Sequence, residues 1–300
     1  MGAEIHVVDN ASGDGSSDLV RRDFPRVHLV ANSENVGFGR GNNQILERER
    51  VEFFALVNPD AVLPPAALAA CMQYLDGNPR AGVAATRLVY PDGTLQPSCH
   101  AFLGLRNLLG ETLGAHRLLP GLRPLSALYM PWFGHDRIAE VDWVDGAFMV
   151  VRGEAVRAVG GFDPDFFMYG EEMDWCRRMR DAGWSVVFLP EPSVIHVRGA
   201  SSGAVPGPMF VENLKGRVRY LRKHRGSMVA VVARVVIAVS VLLRSAWRES
   251  QALPYFLAGR AVPERLRIRQ TSLRSAMRWV LRGLPLTHPD SRGPANSTRS

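Results

Sequence analysis

Short apolar runs alternate with polar, glycine-rich stretches over the first two thirds of the chain. Residues 4–8, 27–31 and 53–57 each read as a strand, and each ends in turn-forming polar residues. The first runs into Asp9-Asn10-Ala11-Ser12-Gly13-Asp14, with a helix predicted from about Ser17. The second leads to Asn35-Val36-Gly37-Phe38-Gly39-Arg40-Gly41-Asn42-Asn43, a glycine-rich loop expected to enter a helix near Asn42. The third stops at Asn58-Pro59-Asp60, after which Pro64 and Pro65 open a helix, where a missing amide proton costs little. This alternation predicts an α/β fold with a mostly parallel sheet flanked by helices and a C-terminal helical tail. Ligands are expected beyond the carboxyl ends of the strands.

Residues 95–140 lose the periodicity and gather glycine, proline, leucine and aromatic residues, as suits a long excursion for acceptor recognition. A strand is predicted over residues 141–151, carrying Asp145-Gly146-Ala147, and a sharp turn at Gly160-Gly161-Phe162-Asp163. A helix opens at Tyr169-Gly170-Glu171-Glu172-Met173-Asp174-Trp175 and ends at Gly183, followed by strands at residues 185–189 and 193–197.

Each polar motif supports two readings. Asp9, Asn10 and Ser12 sit where a sheet meets its ligand, yet they also suit an Asx turn capping the next helix. The Gly37-x-Gly39-x-Gly41 run, with Asn35 and Asn42 at its ends, lets backbone amides approach an anion, or it is a tight turn. Asp60 is either a turn residue or a lone rim carboxylate for a hard divalent ion, Mg²⁺ or Mn²⁺, whose shell a diphosphate and water complete. His196 ends the last strand and could reach the same rim. Glu171, Glu172 and Asp174 complement a helix dipole, with Arg177, Arg178 and Arg180 further along. Three acids so close also raise one another's pKa, which suits a general base.

Length and composition favour a packed domain: 300 residues, 46% hydrophobic. Cys71, Cys99 and Cys176 are too few and too scattered for a disulfide framework or zinc site, which fits a reducing cytosol. The net charge of +7 is unevenly spread. Residues 1–214 carry 18 Lys plus Arg against 26 Asp plus Glu, whereas residues 215–300 carry 18 against 3. The acidic part is expected to do chemistry and the basic part to meet an anionic surface, which argues against a nucleic-acid partner. The division predicted is a catalytic domain over 1–214, a basic helical tail over 215–285 and a disordered end over 286–300. Residues 228–243 are nearly all apolar but short for a span. With Arg234, Arg244 and Arg248 on one side, they read either as a helix lying on anionic lipid or as one packed on the domain. No basic-then-apolar leader opens the chain.

Taken in order, Val8-Asp9-Asn10-Ala11-Ser12, Asn35-Val36-Gly37-Phe38-Gly39, Asn58-Pro59-Asp60, Gly146-Ala147-Phe148, Gly161-Phe162-Asp163, Phe167-Met168-Tyr169-Gly170-Glu171-Glu172-x-Asp174 and His196 resemble the family 2 inverting glycosyltransferases of GT-A fold. The likeness is strongest to bacterial rhamnosyltransferase-like members that build cell-surface polysaccharide, and it runs from about residue 4 to about residue 225. It implies a nucleotide-diphosphate sugar donor bound by Asp9, Asn10, Ser12, Asn35, Gly37, Asn42 and Asp60. It also implies a divalent metal held by Asp60 and His196, and Glu172 at the position of the base with Glu171 beside it. A carbohydrate or lipid-linked acceptor would lie against Asp145, Gly146 and Trp175, on a protein attached to the inner face of the cell membrane. Such proteins ordinarily have one more strand and helix before the Asp9 strand, so that strand is expected to show an open edge.

Overall fold

The strands that build the centre of the molecule are those with unbroken apolar runs. The computed structural model describes residues 3–114, 121–197, 206–257, 260–261 and 263–281. The end segment 286–300 lies outside them. In chain order the elements begin β1 (His6–Asp9), α1 (Ser16–Asp23), β2 (His28–Ala31), α2 (Phe38–Leu46), β3 (Phe53–Val57), β4 (Ala61–Val62), α3 (Pro65–Gly77) and β5 (Ala81–Val89). Then come β6 (Leu95–Gln96), β7 (Cys99–His100), α4 (Leu105–Thr112), α5 (Arg123–Ser126), a 3₁₀ turn (Ala127–Tyr129), β8 (Ala139–Val141), β9 (Trp143–Val144) and β10 (Phe148–Arg152). The last are α6 (Gly153–Val159), α7 (Glu171–Asp181), β11 (Ser185–His196), α8 (Pro206–Arg225), α9 (Ser227–Leu257) and α10 (Glu264–Leu281).

The main sheet runs β3–β10–β5–β11–β4, with β6 on β5 and β8 on β11. It is mixed rather than mostly parallel: β5 and β11 are parallel, while β10 is antiparallel to both β3 and β5. Strand direction leaves no mark on the pattern of β10, which is apolar and buried on both faces from Phe148 to Val151. The strand expected over residues 141–151 is three pieces, β8, β9 and β10. Asp145, Gly146 and Ala147 lie between the last two, where they face the cleft described below. The two strands expected after α7 are one, β11, whose register shifts between Leu189 and Val194 around a cis Glu191–Pro192 bond.

One face of the sheet is covered by α3, whose Ala67, Cys71 and Leu75 recur at one-turn spacing and are fully buried. The other is covered by α7, whose Trp175, Cys176 and Met179 pack with Phe162 and Phe188. A second apolar cluster joins Leu103, Leu108, Phe166 and Met173 to Leu214, Val218, Tyr220 and Leu221 of α8. The boundary expected at residue 214 thus falls inside a helix that is packed on the rest.

β1 and β2 form a separate parallel pair. Among the described residues β1 bonds to no strand but β2, and β3 to none but β10. A cleft of about 3000 Å³ is lined by both free edges and continues to Glu172, Tyr129 and Arg217.

Candidate active site

Six chain segments converge on this cleft. Asp9 leaves β1 with its carboxylate bound by the Ser17 hydroxyl at 2.5 Å and the Ser12 amide at 3.3 Å. Partial burial would raise its pKa, but the bonds from Ser12 and Ser17 prevail and hold it below the usual range. The Asn10 amide is engaged on both sides: it donates to the Gly37 carbonyl at 3.2 Å and accepts from Asn32 at 2.9 Å. Asn10 therefore ties β1 to the glycine-rich segment, and Ser12 braces Asp9.

That segment is the first turn of α2, which starts at Phe38 rather than near Asn42. Gly37 has φ +88°, and a Cβ there would stand 2.3 Å from the Phe167 carbonyl oxygen, so only glycine fits. The Gly37 amide donates to Asn35 Oδ1 at 3.0 Å, and Asn42 bonds back to the Phe38 carbonyl within its own helix at 2.9 Å. Asn43, which the sequence did not single out, grips the backbone of Phe162, accepting from its amide and donating to its carbonyl, both at 2.8 Å. The close approach of Gly161, where a Cβ would be 2.3 Å from Asn43 Oδ1, makes this clamp possible. The glycine pair at 160–161 was the one signal in the sequence that pointed to it.

Asp60 follows the Asn58-Pro59 turn, and β4 pairs with the end of β11, setting Ala61 opposite His196. His196 Nε2 lies 3.2 Å from Asp60 Oδ1, and its Nδ1 lies 2.6 Å from Gln96 Oε1. With the Nδ1 proton donated to Gln96, a lone pair on Nε2 faces a carboxylate oxygen, and two acceptors at that distance need a cation or a proton between them. A hard divalent ion fits this oxygen and imidazole pair when donor phosphates and water complete its shell. Among the described residues no group of three or more His, Cys, Asp and Glu side chains is arranged for a metal.

Glu171 and Glu172 begin α7, and both line the cleft. Glu171 is 2% exposed with Oε2 unpartnered, and burial together with its neighbour Glu172 drives its pKa well above the usual range. Glu172 is partly open to the cleft. Burial pushes it up to about 7, with a further push from Asp145 and opposing pulls from the Gly146 amide and His100. A Cβ on Gly146 would sit 2.8 Å from Glu172 Oε1, so a larger residue there would displace the carboxyl group. Asp145 also lines the cleft, 2.8 Å from His100 Nε2.

Trp175 is a correction to the expected acceptor pocket. It is fully buried, packs tilted against Phe162 with ring centroids 4.2 Å apart and donates its indole N–H to the Gly160 carbonyl at 2.8 Å, so it belongs to the core. On the same helix Asp174 is buried and held by Arg178, Lys223 and His224.

Residues 2–123 match the family described as "Glycosyl transferase family 2". The chain is 27% identical over 266 residues to an N-acetylglucosaminyl-diphospho-decaprenol L-rhamnosyltransferase of Mycobacterium tuberculosis, covering 80% of this chain and 81% of that one. It is 36% identical over 85 residues to rhamnosyltransferase WbbL of Escherichia coli K12, 28% of this chain and 32% of the relative. Among solved structures, mannosyltransferase PcManGT of Pyrobaculum calidifontis, in complex with GDP-Man and Mn²⁺, superposes with TM-score 0.50 at 15% identity, covering 93% of this chain and 77% of that chain. GalNAc-T7 with UDP, GalNAc and Mn²⁺ gives 0.53 at 13% identity over 73% and 42% of the two chains. At these identities the two structures attest the fold.

Proposed function

We propose that this chain, which matches the family 2 glycosyltransferases over residues 2–123 and resembles L-rhamnosyltransferases over most of its length, moves a sugar, rhamnose first among candidates, from a nucleotide-diphosphate donor to a lipid-linked carbohydrate, inverting the anomeric carbon. The observation that carries this reading is the placement of Asp60, His196 and Glu172 on one cleft, with Glu172 pushed up to about 7 and partly open. A base poised near the working pH is what a single displacement needs. Support for donor and acceptor types comes from the relatives' names: an L-rhamnosyltransferase acting on a diphospho-decaprenol-linked sugar, and fold neighbours holding nucleotides with Mn²⁺.

In this mechanism Asp9 fixes the nucleoside end of the donor, and the α2 N-terminus offers its amides to negative charge. Asp60 and His196 would hold a divalent ion, whose charge would offset that of the diphosphate. Glu172 accepts the proton of the acceptor hydroxyl as its oxygen attacks, so no covalent enzyme intermediate is required. The protein would work at the cytoplasmic face of the membrane, attached through its C-terminal helices.

The test is a donor panel with Glu172→Gln beside the unchanged protein. Turnover is expected to fall by at least about a hundredfold, while calorimetric donor affinity stays within a few fold. Unchanged turnover would remove Glu172 from the role of base.

A further inference from the structure

His100 has no part in the mechanism above, yet it is tied to it. It ends β7, and the pairing of β7 with β9 sets it opposite Trp143, two residues before Asp145. Its ring is 7% exposed and stacks on the Trp143 indole at 4.2 Å. Both ring nitrogens are engaged: Nδ1 lies 3.2 Å from the Leu128 carbonyl oxygen, and Nε2 lies 2.8 Å from Asp145 Oδ1. A carbonyl oxygen only accepts, so Nδ1 carries a proton. The contact with Asp145 needs another, supplied by the ring or by the carboxyl group. Together the two side chains hold one proton more than a neutral histidine beside an ionised aspartate. Asp145 keeps 31% of its side chain in solvent, where a carboxylate is well hydrated, and the charge-assisted bond is the stronger arrangement.

Gly146, adjacent to Asp145, lies beside the Glu172 carboxyl group, close enough that a Cβ there would stand 2.8 Å from Oε1. Resting on the reading of Glu172 as base, we propose that His100 is a positioning residue of the transfer reaction: its imidazolium cancels the Asp145 charge and holds that carboxylate in place, so that Glu172 can stand ionised beside it. Around Glu172 the titratable neighbours are Glu171 and Cys176 on its own helix, Asp145 between β9 and β10, and His100 on β7. Around His100 they are Asp145, the edge of the Tyr129 ring at 6.2 Å, and His135. Asp145 and His100 act on Glu172 in opposite senses. Removing the imidazolium alone leaves Asp145 repelling an ionised Glu172, and removing both charges restores the balance.

Two measurements on the full chain test this. In ¹⁵N NMR at pH 8, His100 is expected to show two protonated ring nitrogens; a neutral-imidazole pattern overturns the proposal whatever the fate of Glu172. In pH profiles of kcat/KM, His100→Gln keeps a donor for Asp145 but cannot carry charge. It is expected to raise the acid limb by about one pH unit, with activity recovered at high pH. The His100→Gln, Asp145→Asn double variant is expected to bring the limb back to that of the unchanged protein. A loss in His100→Gln that is uniform across pH, or a limb that stays put, overturns the role. If His100→Gln does not fold, the NMR pattern decides. Full activity in Glu172→Gln would instead refute the proposed base and leave the NMR result standing.

Discussion

At the residue scale, Glu172 carries both the chemistry and a cost in stability. Folded, its carboxyl keeps a proton up to about pH 7 because burial disfavours the charge; in an unfolded chain a glutamate lets go near about pH 4.3. Between those values the folded protein binds more protons than the unfolded one, so this group's contribution to stability falls as pH rises through the window. Glutamine removes the buried charge while keeping the shape. Glu172→Gln is therefore expected to be more stable than the parent by about 1 kcal/mol at pH 8, a figure reduced for partial solvent screening, and equal to it at pH 4. Urea denaturation at the two pH values checks this; equal stability at pH 8 would mean that Glu172 is ionised there at no cost. His100 escaped sequence reading because it lies in the stretch without periodicity, and a lone histidine gives no sign of its partner. Trp175 was misplaced for a related reason. It stands one turn after Glu171, and only the position of the Phe162 ring and the Gly160 carbonyl decides which side of the helix meets the core.

Between elements, the decisive contact is that of α7 with α8. Asp174 is fully buried, and its oxygens receive Arg178 Nε at 2.9 Å, Lys223 Nζ at 2.8 Å and His224 Nε2 at 2.8 Å. Burial would raise its pKa, but His224, Lys223 and Arg178 outweigh it and draw the group down to about 2. Its stabilisation is thus complete above the ordinary aspartate range and is lost as pH falls from about 4 towards 2. Asp174→Asn takes the buried counter-charge from Arg178 and an acceptor from Lys223 and His224, and is expected to cost about 3 kcal/mol at pH 7, with the difference from the parent shrinking below pH 4. Urea titrations across that range measure it, and a cost that does not change with pH would assign Asp174 a packing role only. This contact also shows what a one-dimensional pattern conveys. Acids at the start of α7 and bases beyond them were legible as dipole complements, and Asp60 and His196 were legible as polar residues at strand ends. Their meeting at 3.2 Å depends on β4 pairing antiparallel with β11, which no local pattern encodes. The same holds for the mixed sheet: residues buried on both faces of a strand look alike in either direction.

For the whole molecule, the packing of the C-terminal helices bears on the membrane attachment proposed above. α9 spans 31 residues, longer than its apolar run of 228–243 suggested, and Ser227–Ala252, with mean hydropathy 2.1, is long and apolar enough to cross a bilayer. One side of it is packed: Ala230, Ala233, Ile237 and Val241 are buried with residues of α4 and α8. Arg234, Arg244 and Arg248 share that side of the helical wheel, and Arg244 donates to the Glu111 and Thr112 carbonyls at the end of α4. Of the two readings the sequence left open for this basic side, lipid or the domain, the contacts of Arg244 fit the domain. Lys215, Arg217 and Lys223 of α8 are likewise occupied, by Glu212, Glu111 and Asp163. What remains outward is an apolar stripe of Met228, Val231, Val235, Val239, Leu242 and Leu243, all exposed. A helix packed along one side and apolar along the other suits lying in the membrane interface, held more by buried area than by charge. Flotation of the full chain with liposomes is expected on both neutral and acidic lipid, with only weak loss at 0.5 M salt, about where screening is strong. Replacing Val235, Val239 and Leu242 by Ser is expected to abolish flotation while the circular dichroism stays that of the parent. Binding that needs acidic lipid and vanishes in salt would return the role to the exposed arginines of α10, such as Arg267 and Arg269.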